Sequence, residues 1–222
     1  MSGEVDGESS TDHSPTQGAP VTTVLFDLGG VLVRIRAEEY MEELGFSQRE
    51  KEFFHCHVLF HEEWQRWDEG VLTQEKLVEL LSEKEPEHAA VIRKFFDGIE
   101  RFVEPYSGVE SLLNSLKERG FRIYALSNYP VEMYNLHEKK ALPFLSLFDG
   151  KVISGFERSL KPNEDFYRIL LTRFNLNPSD CVFVDDREAN TRTAETLGIH
   201  SILAKNRANA LVELEAYLAK HS

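Results

Sequence analysis

The sequence predicts an α/β protein: a doubly wound, parallel five-stranded sheet with an all-helical unit inserted after its first strand. Three observations predict it. Five short, largely apolar runs, the first rich in β-branched residues, recur at 21–27, 121–127, 151–154, 181–186 and 200–204. From 107 to 220 the stretches between these runs carry helical periodicity, so strand and helix alternate as they do in parallel sheets covered on both faces. The interval from about 36 to 105 is helical, with no convincing strand.

The first twenty residues, "MSGEVDGESSTDHSPTQGAP", hold no Lys or Arg and no apolar centre, so they resemble neither a secretory signal nor a transit peptide. A disordered tail is expected there. "VTTVLFD" (21–27) then reads as a strand buried on both faces. The helical interval breaks near Gly45, Gly70 and Pro86. Within it, Trp64, Trp67, Phe53, Phe54 and Phe60 are expected to form its core, a minority of them lining a cleft. His55, His57 and His61 are expected on a polar helix face, since "HEEWQ" is not the HExxH zinc pattern.

After residue 105 the punctuation is clear. Ser107 and Glu110 have capping-box spacing ahead of a helix that stops at Gly120. "FRIYALS" (121–127) and "KVIS" (151–154) read as strands, and Pro162 fits the first turn of the helix that follows. "CVFVDD" (181–186), a helix closing on Gly198, "HSILA" (200–204) and the amphipathic "RANALVELEAYLAK" complete the chain. The division is therefore a tail at 1–20, a core at 21–35 with 106–222, and a helical unit at 36–105.

A chain of 222 residues carrying a net charge of −13 does not suit non-specific nucleic-acid binding, which needs clustered Lys and Arg. No stretch approaches the roughly 20 apolar residues that span a bilayer. Cys56 and Cys181 are far apart and fit no metal or disulfide spacing, so two partly buried thiols in a reducing cytoplasm are expected.

Parallel units close with right-handed connections; if strands one to three run to one side and four and five return to the other, the order reverses beside strand one. Ligands bind outside the carboxyl ends of strands at such a point. Asp27 ends strand one there, Ser127 and Asn128 end strand two, and Asp185 and Asp186 end strand four. Three carboxylates at one edge repel each other unless a cation neutralises them, and hard oxygen ligands suit Mg²⁺. Lys161 can fold over the same edge as a second cation, with Ser127 and Asn128 offering a hydroxyl and an amide to phosphoryl oxygens. An ionised aspartate beside Mg²⁺ can attack phosphorus and form an aspartyl-phosphate.

"VLFDLGGVL", "LSN" (126–128), "KP" (161–162) and "VFVDDREAN" (182–190) resemble the four ordered motifs of the haloacid dehalogenase-like hydrolase superfamily. Within it the chain is similar to phosphatases with a helical cap after the first motif, including sugar-1-phosphate phosphatases and the phosphatase domain of soluble epoxide hydrolase. The resemblance implies a Rossmann-like core, a Mg²⁺ cofactor and hydrolysis of a small phosphorylated metabolite, a sugar phosphate among the candidates. It implies Asp27 as nucleophile and metal ligand, and Ser127 as phosphate ligand, with Lys161 as electrostatic partner. The metal would be held by Asp27, the Gly29 carbonyl and Asp186, with Asp185 beside them. Asn190 stands where many relatives carry a further acid.

Two positions depart from the pattern. Most phosphatases of the superfamily carry a second aspartate two residues after the nucleophile, to protonate the leaving group; here it is Gly29. A good leaving group, water or a cap residue is then expected to compensate. Arg158 replaces a common glycine and is expected at the surface. The rivals are a 2-haloacid dehalogenase, a phosphomutase and a scaffold or regulator with impaired turnover. Oligomeric state stays open.

Overall fold

The computed structural model describes residues 20–140 and 142–221. The tail expected at 1–20 lies outside the described residues apart from Pro20. Strand β1 (Thr23–Phe26) is buried along its whole length. A short antiparallel ribbon of β2 (Val33–Ile35) and β3 (Val103–Pro105) brackets helices α1 (Ala37–Glu43), α2 (Gln48–His57), α3 (Glu62–Asp68), α4 (Gln74–Lys84) and α5 (Ala89–Asp97). Then come α6 (Val109–Glu118), β4 (Arg122–Ser127), α7 (Val131–Lys140), β5 (Gly150–Ile153), α8 (Ser154–Glu157) and α9 (Glu164–Arg173). The chain finishes with β6 (Cys181–Asp185), α10 (Glu188–Thr196), β7 (His200–Leu203) and α11 (Arg207–His221).

The five expected strands form one sheet, ordered β5-β4-β1-β6-β7 and parallel throughout. The order reverses at β1. Phe26 pairs with Ala125 on one side and Val184 on the other, which brings Asp27, Ser127 and Asp185 to one edge. Alternate side chains of each strand serve opposite faces. Val24 and Phe26 pack with Leu113 and Leu116 of α6 and Leu214 and Leu218 of α11. Leu25 and Phe183 pack with Phe166, Tyr167 and Leu170 of α9 and with Ala194 of α10.

The helical unit shares the first of these clusters and contributes interlocked rings. Phe54 and Tyr40 both contact Phe95, with centroids 4.6 and 5.1 Å apart, and Trp64 meets Trp67 edge-on at 5.3 Å. Phe53, Phe54, Trp64 and Trp67 are buried as expected, but Phe60 is 50% exposed and lines the cleft over the sheet edge. His57 ends α2 and His61 precedes α3, with Phe60 in the left-handed region (φ 63°) between them, so the two histidines share no helix face.

Several boundaries differ from expectation. The interval 36–105 does contain strand residues, because Val103–Pro105 pairs with Val33–Ile35 at the base of the helical unit. The helix after Ser107 starts at Val109 with left-handed Gly108 as its cap, so Ser107 caps nothing. The box that forms is Ser47 with Glu50, whose carboxylate accepts from the Ser47 N–H at 2.7 Å. Pro162 precedes α9 rather than entering its first turn; the Asn163 side chain caps that helix by accepting from the Asp165 N–H at 3.0 Å. Cys56 is exposed, Cys181 is buried, and both are free. Among the described residues no helix is long and apolar enough to cross a membrane.

Candidate active site at the carboxyl edge of the sheet

Asp27 follows the central strand directly and is 7% exposed. Its Oδ1 accepts three hydrogen bonds or charge contacts: from the Leu28 N–H at 2.7 Å, the Ser127 hydroxyl at 2.8 Å and the Lys161 ammonium at 2.9 Å. Among the described residues none donates to Oδ2. One oxygen is therefore locked while its partner stays free at the cleft that Asp27 lines.

Lys161 is buried and bridges Asp27 to Asp185, whose Oδ2 lies 2.7 Å from Nζ. Asp185 accepts further hydrogen bonds at Oδ1 from the Arg187 N–H and at both oxygens from the Asn190 amide. These contacts make Asp185 the anchor of Lys161. Asp186 turns into the cleft instead.

Gly30 explains how the chain approaches so closely. Its φ of +72° suits glycine, and a Cβ there would stand 2.3 Å from the Asp186 Oδ2. Gly29 is different. Its φ is not positive, and a Cβ would meet only the Ile35 Cδ1 at 3.9 Å, so the turn requires glycine at 30 and leaves 29 free for a side chain.

The electrostatics show a deficit of positive charge. Burial pushes the Asp27 carboxyl up to about 7 against the pull of Lys161, with Asp185 and Asp186 adding to the rise. Burial, then Asp185, also raises Asp186. Burial opposes the Lys161 ammonium, but Asp185 and Asp27 outweigh it and hold its pKa above the ordinary lysine value. One ammonium thus serves three acids.

The donor set fits a hard divalent cation. Asp27, Asp185 and Asp186 each place a carboxylate oxygen so that all lie within 4.8 Å of one another. Beside them, the Asn190 Oδ1 is buried with no hydrogen-bond partner, and Asn190 lines the same cleft.

The remaining expected residues divide. The Ser127 hydroxyl is spent on Asp27, so it would have to turn to meet a phosphoryl oxygen. The Asn128 amide holds the main chain of Lys161 at both ends, which corrects the expectation of a free amide at the edge. Arg158 is exposed at the end of α8 with φ 51°, a left-handed position that glycine favours. Among the cleft residues that the sequence reading did not single out is an acid, Asp68, the last residue of α3.

The cleft above these groups has a volume of about 460 Å³. Its walls away from the carboxylates are mostly apolar, with Ile35, Phe60, Trp64, Phe102 and Met133 among them.

Residues 21–198 match the family model of the haloacid dehalogenase-like hydrolases. A sesquiterpene phosphatase of Aspergillus oryzae is 24% identical over 180 residues, which cover 79% of this chain and 85% of that protein. The chloroplast flavin mononucleotide hydrolase 1 of Arabidopsis thaliana is 26% identical over 216 residues, 90% of this chain and 78% of that one. Among solved structures, the family enzyme BT-2542 of Bacteroides thetaiotaomicron superposes with a TM-score of 0.68 at 23% identity, over 83% of this chain and 93% of that one. A complex of the same bacterial enzyme with magnesium and inorganic phosphate superposes with a TM-score of 0.67 at 22% identity, over 82% and 93% of the two chains.

Proposed function

The chain belongs to the haloacid dehalogenase-like hydrolases, and from that premise we propose that it is a Mg²⁺-dependent phosphatase working through an aspartyl-phosphate on Asp27. The observation that carries the reading is the division of labour on that carboxylate: Oδ1 is held by Leu28, Ser127 and Lys161, while Oδ2 is left for the incoming phosphorus. A relative named as a phosphatase and one named as a flavin mononucleotide hydrolase support it.

Asp27, Asp186 and the Gly29 carbonyl would hold the cation, with Asp185 steadying the set from behind. Bound there, Mg²⁺ supplies neutralisation of negative charge on the phosphoryl oxygens. Oδ2 of Asp27 attacks phosphorus, the ester P–O bond breaks, and its electron pair leaves with the alcohol oxygen, which takes up a proton. Water then attacks the same phosphorus, returning Asp27 as carboxylate and releasing inorganic phosphate. Lys161, fixed against Asp27 and Asp185, holds the attacking group in place and offsets the charge that gathers on the equatorial oxygens.

The cleft favours a phosphate monoester whose body is apolar or aromatic over a bare sugar phosphate. Ile35, Phe60, Trp64 and Met133 offer surface rather than hydrogen bonds to such a body. The test is a panel of aryl, isoprenyl and sugar monophosphates assayed with Mg²⁺ and with EDTA, wild type beside Asp27→Asn. Mg²⁺-dependent release of phosphate that the variant abolishes is the expected result; release that survives both EDTA and the variant would refute the proposal.

A further inference from the structure

We propose that Asp68, presented by the helical unit across the cleft from Asp27, is the acid that protonates the departing alcohol and the base that then activates water. The inference rests on the phosphatase reading above. Departure of an alkoxide requires a proton, and position 29 has no side chain to supply one. The cleft is lined by three carboxyls, among the described residues: Asp27, Asp186 and Asp68. Asp27 attacks, and Asp186 lies within the carboxylate cluster that suits a cation. Lys161 is committed to two acids, Arg187 is a permanent cation, and the Tyr129 hydroxyl is paired with the His137 Nδ1 at 2.6 Å. Asp68 is the group left with a proton to give.

Its placement is built rather than incidental. The Ser154 hydroxyl, at the start of α8, donates to the Asp68 carbonyl. One residue earlier, the Trp67 indole donates to a Glu132 carboxylate oxygen at 3.0 Å, and the other oxygen accepts from the Gln74 N–H at 3.1 Å. Two residues later Gly70 lies so close to the Gly155 main chain that a Cβ would fall 2.1 Å from the Gly155 carbonyl oxygen. These contacts seat the end of α3 and the start of α4 on the core of the molecule, with Asp68 lining the cleft.

The protonation state agrees. Burial pushes the Asp68 carboxyl up to about 8, the Asp27 charge adds to the rise, and the Arg187 guanidinium and Trp64 indole oppose it. The group therefore holds a proton at neutral pH, as a general acid must. In the first step that proton passes to the ester oxygen as the P–O bond breaks and the alcohol leaves. In the second, the Asp68 carboxylate takes a proton from the water attacking the Asp27 phosphoanhydride, and the starting state is restored.

The test compares wild type with the isosteric Asp68→Asn and with Asp68→Asn/Gly29→Asp. kcat/KM, which reports the first step, is measured over monoesters running from p-nitrophenyl through phenyl to alkyl phosphate. Asp68→Asn should lose about 10²- to 10⁴-fold on the alkyl ester, with the loss shrinking as the leaving group becomes more acidic. The carboxyl introduced by Gly29→Asp should recover part of the alkyl activity. Uptake of beryllofluoride on Asp27, followed by ¹⁹F NMR, reports whether the site is intact. Equal losses across the series with that uptake preserved would overturn the assignment of Asp68 alone. A wild type that hydrolyses no ester and takes up no beryllofluoride would overturn the phosphatase reading, and this assignment with it.

Discussion

The side-chain amide of Asn128 holds the main chain of Lys161 at both ends, donating to its carbonyl at 3.0 Å and accepting from its N–H at 2.8 Å. The residue after the second strand of the site therefore fixes the buried lysine that serves Asp27 and Asp185.

Asn128→Ala removes both bonds without touching a charge. Stability should fall by about 1–2 kcal/mol, from two hydrogen bonds of ordinary worth. Displacement of Lys161 should lower kcat more than it raises KM, by on the order of 10²-fold if the ammonium moves by an ångström. Thermal unfolding and steady-state kinetics on one ester measure the two effects. Asn128→Asp keeps the acceptor for the Lys161 N–H and should lose less stability.

Lys161→Met leaves two buried carboxylates facing each other without their ammonium. Removing one partner of a buried ion pair costs about 3–5 kcal/mol, so this variant should be among the least stable at the site. Denaturant unfolding at neutral pH measures it. Wild-type stability in Lys161→Met would mean that the charges at this edge are balanced by something other than Lys161.

The neighbouring glycines should behave in opposite ways. Gly29→Asp has room for its side chain, so it should fold at near wild-type stability and raise turnover of alkyl esters by supplying a second proton donor. Gly30→Ala meets Asp186 and a φ of +72° together, so it should lose stability by about 1 kcal/mol or more and lose activity as Asp186 is displaced. Melting temperatures and kcat/KM of the two variants, measured side by side, check the contrast.

Magnesium should raise the melting temperature, because it meets a cluster of acids with too little positive charge. At a hundredfold excess over Kd the gain is about 2.7 kcal/mol, and EDTA should reverse it. Asp186→Asn should lose most of this gain while keeping the fold, since Asp186 faces the cleft rather than the core. Calorimetry with and without metal reads the difference.

Asp68 gives a pH dependence of stability whose sign follows from its raised pKa. An acid held protonated by the fold contributes stability that is complete below the ordinary carboxylate range, near pH 4, and is lost as pH climbs through about 8. Arg187, Asp27 and the Trp64 indole are the groups that act on it, and Asp27, raised to about 7, drifts in the same direction. The measurement is therefore the difference in melting temperature between Asp68→Asn and wild type. It should be near zero at pH 4 and grow to several degrees in favour of the variant by pH 9.

Much of the site was legible in the chain because its parts are local. A buried strand that stops at a carboxylate, as at Phe26 and Asp27 or Val184 and Asp185, announces both its burial and its edge. The β2–β3 ribbon was not legible, since each strand has three residues and only its first is buried, too little for a two-residue period to show. Asn128 looked like a ligand because an amide beside a strand end can face either substrate or backbone. Only the position of Lys161, 33 residues further on, decides which.

The sequence by itself determined the five strands and set Asp27, Asp185 and Asp186 where strands stop, because apolar runs end at those acids. Chain connectivity narrowed the order about β1 to few arrangements, and the structure settled it, gathering these acids with Lys161 at one edge. The tertiary structure decided which acid anchors the lysine, which one faces the cleft, and that Asp68 of a distant helix looks onto the same space. The first two depend on how Asp185 meets Lys161, Arg187 and Asn190 at the sheet edge. The third depends on how the helical unit seats on the core through Glu132, Ser154 and the Gly70–Gly155 contact, and no local pattern encodes a docking between surfaces remote in sequence.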